Sequence, residues 1–178
     1  MGYKPKLESI RRHRVPKWFH DAKLGIFVHW GLYSVPGWAP LTGDITKVIA
    51  KEGWKGMFAK NPYAEWYLNS IRIRDSPSYH HHVKTYGESF SYDDFAPLFN
   101  ESIRDWNPND WADLFKRAGA RYVVLTTKHH DGFCLWPTQH PSPRKEGYFA
   151  KRDIVGELAQ AVRARGMRMG LYYSHGLD

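Results

Sequence analysis

Two segments of the chain repeat one pattern: an amphipathic helical stretch, a glycine, an apolar run and a polar tip. The first is "NPNDWADLFKRAG" followed by "RYVVLTT"; the second is "DIVGELAQAVRARG" followed by "MRMGLYYS". In the first, Asn107 can cap the helix N-terminus by accepting an orphan backbone N–H. Pro108 fits the first helical position, where no N–H is missed. Trp111, Leu114, Phe115 and Ala118 fall on one face at helical spacing, and Gly119 supplies the stop. In the second, Val155, Leu158 and Val162 share a face and Gly166 ends the helix. An earlier apolar run, "KLGIFVHWG" (23–31), reads as a further buried strand. Three strands separated by helical segments predict an α/β fold with about three parallel strands, right-handed crossovers and covering helices.

All three strands end in polar groups: His29 on the first, Lys128 to Asp131 on the second, Tyr172 to Ser174 on the third. The C-terminal end of the strands is where α/β barrels and open α/β sheets place their sites. The stretch "TTKHHDGF" (126–133) is the densest case. A strand that only fills a core has no use for a lysine, two adjacent imidazoles and an acid at its tip. Asp131 also suits a turn-capping role before Gly132. No glycine-rich phosphate fingerprint follows any strand, which argues against a nucleotide-binding unit.

Elsewhere the pattern is less regular. Residues 1–15 read as a surface arm or short helix. Residues 32–62, rich in Gly, Pro and Trp, read as a long loop. "NPYAEWYLNSIRI" predicts a helix with Asn61 as N-cap, Pro62 at its first position and Glu65 in its first turn. Residues 76–105 suggest shorter helical pieces. The run His80-His81-His82 fans around a helix and reads as surface. Trp106, Trp111 and the single cysteine, Cys134, are expected in the core.

At 178 residues the chain fits one domain, 1–178. No apolar run approaches the roughly 20 residues of a spanning helix. The basic N-terminus lacks an apolar h-region, so no secretory signal is read and a cytoplasmic location is expected. One cysteine allows no internal disulfide, which suits a reducing compartment. The formal charge is +8. Apart from "RRHR" (11–14) the cations are scattered, which favours a solvated surface over a nucleic-acid partner. Eight tryptophans and eleven tyrosines exceed what a core of this size needs, and aromatic faces suit the apolar faces of sugars.

The motifs "WFHDAKLGIFVHWGLYSVPGWAP", "NPYAEWY", "YGESFSYDDFAPLF", "WNPNDWADLFKRAGARYVVLTTKHHDGFCLWPT" and "GLYYSHGLD" closely resemble the N-terminal half of the catalytic domain of α-L-fucosidases of glycoside hydrolase family twenty-nine. The resemblance runs from about residue 16 to the end. It implies part of a (β/α)8 TIM-type barrel and release of terminal α-L-fucose with retention of anomeric configuration. It implies that His29 bonds fucose hydroxyls, that Glu65 contacts the sugar with Trp66 beside it, and that His129 and His130 contact sugar hydroxyls. Tyr172 would line the pocket, with Trp38 and Phe27 as apolar walls. The family nucleophile, an aspartate on the next strand, and its acid/base glutamate have no counterpart before Asp178, which matches a different family position. The expectation is therefore of a sugar-binding wall without the catalytic pair that retaining hydrolysis requires. No cofactor is implied.

A non-catalytic fucose-binding chain is the alternative. A metal site built from His29, Glu65, His130 and Asp131 is a third reading, but no His-x-x-x-His spacing or cysteine pair favours it. Three parallel strands leave two open edges. The expected partners are accordingly a fucoside or fucosylated glycan and either copies of the chain or a complementary C-terminal fragment. In such an assembly Glu65, Asp131 or Asp178 of a second chain could stand in for the absent acids.

Overall fold

A computed structural model of the chain describes residues 2–140 and 142–175. In chain order the elements are α1 (Leu7–Ile10), α2 (Lys17–Ala22), β1 (Gly25–Val28), α3 (Ile45–Ala59), α4 (Tyr67–Ile71), α5 (Pro77–Tyr86), α6 (Phe95–Ser102), α7 (Pro108–Arg117), β2 (Tyr122–Lys128), α8 (Ile154–Ala164) and β3 (Arg168–Tyr173). Short 3-10 turns cover Leu32–Ser34, Ala64–Trp66 and Tyr92–Asp94. The three strands form one parallel sheet in the order β1-β2-β3.

The glycine stops work as the repeated pattern requires. Gly119 and Gly166 have φ of 87° and 70°, the left-handed region that a side chain resists. Just past each, an N–H reaches back into the last helical turn: Ala120 to the Phe115 carbonyl at 3.1 Å, and Met167 to that of Val162 at 3.2 Å. Both helices thus end in a Schellman-type closure that turns the chain straight into β2 and β3. At their starts, Asn107 accepts the Asn109 N–H and Asp153 that of Gly156.

The core lies between the helices and the sheet. Leu158, Val162, Ile154, Val123, Leu125, Phe95 and Phe99 are fully or almost fully buried. Trp106 and Trp111 pack against Trp30 at its edge, with ring centroids 5.1 and 4.6 Å from that indole, and Cys134 is buried. Gly25 pairs in register with Tyr122, and a Cβ there would clash with the tyrosine ring at its Cζ. That ring is held in place by Trp18 and Phe19, with centroids at 6.0 and 5.6 Å.

Several expectations are corrected. The segment 32–62 is not one long loop, because α3 occupies its second half. Asp44 caps that helix by accepting the Thr46 N–H at 2.9 Å, and Gly53, at φ 68°, kinks it. Asn61 does not cap a helix. Its Oδ1 accepts the Tyr63 N–H at 2.9 Å in an Asx turn, Tyr63 is extended, and the chain reaches α4 only after the 3-10 turn that carries Glu65. On α7 the buried residues are Ala112 and Phe115, while Leu114 is exposed. β1 is only half buried, with Phe27 50% exposed. The histidine run is not all surface either. His82 is buried, with Nδ1 3.1 Å from the Tyr67 hydroxyl and Nε2 2.8 Å from the Phe90 carbonyl.

Candidate active site

The sheet brings the polar strand tips together. β1 ends at Val28, and His29 follows at once. At the end of β2 a register irregularity between Thr126 and Lys128 re-aims the chain as it enters His129-His130-Asp131-Gly132. Thr127 donates its hydroxyl to the Tyr172 carbonyl at 2.8 Å, and Ser174 N–H donates to the Lys128 carbonyl at 2.9 Å. The tips of β2 and β3 are thereby tied side by side.

All six side chains singled out by the sequence join one cluster. His29 Nδ1 lies 3.9 Å from a Glu65 carboxylate oxygen. The His29 ring is 5.7 Å from His129 and 6.3 Å from Tyr172, centroid to centroid. His129 is 4.7 Å from His130, which in turn is 5.0 Å from Trp66. Phe27 stacks on His29 at 4.8 Å and meets Tyr172 edge-on at 5.5 Å, which puts its ring against the cluster. Trp38 has its ring contact elsewhere. It stacks flat on His81, centroids 4.1 Å apart and planes 3° apart. Asp178 lies outside the described residues.

The turn after His130 rests on a buried acid. Asp131 accepts the Phe133 N–H at 3.2 Å and the Tyr92 hydroxyl at 2.8 Å, so its turn-capping role is present and is joined by a tertiary hydrogen bond. Burial pushes its carboxyl up to about 6, against the opposite pull of the Tyr92 and Phe133 hydrogen bonds and of Lys145 and Lys128. Tyr92 is held well above the ordinary tyrosine range by its own burial and by the Asp131 charge, so it stays a neutral donor.

Two features were missed by reading the sequence. Tyr33 is buried, its ring 5.6 Å from His129, and its hydroxyl has no hydrogen-bond partner among the described residues. Burial and the nearby Asp131 and Glu65 charges push that hydroxyl up. The second feature is a cleft of about 430 Å³ that shares Glu65, Trp66 and His130 with the cluster and is also lined by Arg72, Arg144 and Lys145. Among the described residues no three His, Cys, Asp or Glu side chains converge as a metal-ligand group, so His29, Glu65, His130 and Asp131 do not form one. No helix among those residues is long and apolar enough to cross a membrane.

The arrangement offers imidazoles, a carboxylate and a tyrosine as donors and acceptors beside indole and phenyl faces, which is the mix a hydroxyl-rich sugar ring requires. The chain resembles known proteins. The family model described as Alpha-L-fucosidase matches residues 1–176. Tissue alpha-L-fucosidase of Bos taurus is 40% identical over 97% of this chain and 32% of its own length. Plasma alpha-L-fucosidase of Homo sapiens is 39% identical, again over 97% of this chain and 32% of its own length. The crystal structure of Thermotoga maritima alpha-fucosidase in complex with fucose superposes with a TM-score of 0.82 at 54% identity, covering 99% of this chain and 38% of that one. This chain spans about a third of the length of the curated relatives it matches. With a parallel β1-β2-β3 sheet and its helices, the architecture is part of a TIM-type barrel. The chain belongs to the alpha-L-fucosidase family.

Proposed function

We propose that this chain supplies the sugar-holding wall of an α-L-fucosidase site, which releases terminal α-L-fucose with retention. The observation that carries the reading is the convergence of His29, Glu65, Trp66, His129, His130 and Tyr172 at the C-terminal tips of three parallel strands. Fucose is a deoxy sugar, with several hydroxyls and one methyl. The imidazoles, Glu65 and Tyr172 serve the hydroxyls; Trp66 and Phe27 serve the methyl and the apolar ring face. In the family resemblance the attacking aspartate and the proton-shuttling glutamate belong to later strands, so the residues assigned here bind and orient the sugar. The outer edges of β1 and β3, unpaired in the sheet among the described residues, support association there, with a second copy or a complementary segment. A monomeric mass in solution would argue against that.

The test is calorimetric binding of L-fucose together with turnover of 4-nitrophenyl α-L-fucoside. His29→Ala and Trp66→Ala should each weaken fucose binding by about tenfold or more, the loss expected for one well-placed buried contact. Binding with no turnover selects the non-catalytic alternative. Absence of fucose binding, or unaltered affinity in both variants, would remove the reading.

A further inference from the structure

The cleft beside Trp66 has a charge pattern that a neutral sugar does not need. Its apolar wall is Phe58, Trp66 and Leu68, with the Phe58 and Trp66 rings 5.7 Å apart. Arg72, Arg144 and Lys145 line it as well. Glu65 and Asp131 also line the cleft, and the acids here each have a neighbour. Asp131 receives the Tyr92 hydroxyl and the Phe133 N–H. Asp93 takes Lys145 at 2.6 Å. Glu65 approaches His29 at 3.9 Å. The guanidinium groups of Arg72 and Arg144, by contrast, make no hydrogen bond or ion pair among the described residues. Arg144 is set in place by its backbone, whose N–H donates to the Ser142 hydroxyl at 3.4 Å. Two arginines lining one cleft beside an indole, neither engaged by an acid, supply a donor set suited to a planar or tetrahedral oxyanion.

We propose that this cleft is the leaving-group subsite of the fucose site and that it selects aglycones bearing an anion, a carboxylate or a sulfate ester, which Arg72 and Arg144 grip while the aglycone ring lies on Trp66. The proposal rests on the fucosidase reading and deepens it. Glu65, Trp66 and His130 form the wall common to both spaces, so a sugar held at the strand tips has its substituent within reach of the cleft. At about 430 Å³ the cleft has room for one further ring.

The probes are hydrolysis-resistant aryl 1-thio-α-L-fucosides whose para substituent is a carboxylate, a sulfonate (standing for a sulfate ester) or a neutral carboxamide. Affinities are measured by calorimetry on the full protein, with free L-fucose in parallel. The anionic probes should bind about fivefold tighter than the carboxamide at low ionic strength, and the ratio should fall toward one in ~1 M salt, as screening dictates. Preference for the carboxylate over the sulfonate, or the reverse, identifies which anion the pair of arginines fits. In Arg72→Gln and Arg144→Gln the ratio should fall to about twofold or less. Because the ratio is taken within each protein, a general loss of affinity cancels, and the salt dependence of the unaltered protein needs no variant. Fucose binding with no preference for the anion, or a preference that both variants retain, overturns the proposal and leaves the fucosidase reading standing. Failure to bind fucose overturns both.

Discussion

Asp131 should make the protein less stable as pH rises through the weakly acidic range, and Asp131→Asn should abolish that loss. The carboxyl is 7% exposed, and burial lifts it to about 6, whereas in the unfolded chain it titrates near 3.9, as free aspartate does. Between those values the folded chain holds a proton that the unfolded chain has released, so the stability this group contributes is complete below about pH 4 and gone above about pH 6. A difference of about 2 units corresponds to about 3 kcal/mol. The asparagine cannot titrate. It keeps one oxygen for the Tyr92 hydroxyl and turns an NH2 toward the Phe133 N–H, a cost of about 1–3 kcal/mol that does not depend on pH. The assay is urea unfolding followed by tryptophan fluorescence at a series of pH values, with linear extrapolation. Groups distant from position 131 cancel in the difference between the two proteins. The variant should start less stable near pH 4 and gain about 3 kcal/mol on the parent by pH 7. Parallel profiles, or a parent that gains on the variant as pH rises, would refute the reasoning.

Three further substitutions follow from the same packing. Tyr92→Phe removes the hydroxyl that answers the buried Asp131 carboxylate and should cost about 2 kcal/mol by urea unfolding near neutral pH; an unshifted midpoint would count against that bond. Gly25→Ala forces a methyl into the Tyr122 ring and should cost about 1–3 kcal/mol, so a thermal midpoint equal to the parent's would show that the ring moves freely. Leu158→Ala empties a fully buried position and should cost about 2–5 kcal/mol; a loss under about 1 kcal/mol would mean that α8 collapses onto the gap.

The parts of the fold legible in the sequence are those fixed by neighbours along the chain. Gly119 and Gly166 mark helix ends because the left-handed turn is a local demand. Asn107 marks a start because a cap reaches only two or three residues. The polar tip of β2 is visible because nothing apolar follows Leu125 until Phe133. The helix α3 was hidden by Gly53, Trp54 and Gly56, which break its periodicity, although the Asp44 cap signal was there to be read. Burial of His82 depends on Tyr67 and Phe90, partners that helical spacing cannot supply. Among the site residues, the resemblance supplied Glu65 and Trp66, whose 3-10 turn has no periodic signature. Arg72 and Arg144 lie 72 positions apart in the chain and meet at one cleft only through tertiary packing.

The tip of β2 also shows why stability and site geometry pull in different directions here. An apolar residue at position 131 would remove a buried ionisable group and its pH-dependent cost. It would also remove the acceptor that joins the turn after His130 to Tyr92, on the segment leading into α6. His129 and His130 precede that turn directly, and their rings sit 4.7 Å apart in the middle of the proposed sugar wall. Without Asp131 the turn would keep the Gly132 N–H to His129 carbonyl bond at 3.0 Å and the Leu135 N–H to Thr127 carbonyl bond at 2.9 Å, but would lose its tie to Tyr92. The two hydrogen bonds to Asp131 fix the turn from its own backbone and from a distant element at once, which is what a binding wall of adjacent side chains requires. The acid at this position therefore serves the placement of the two histidines, at a cost of about 3 kcal/mol near neutral pH.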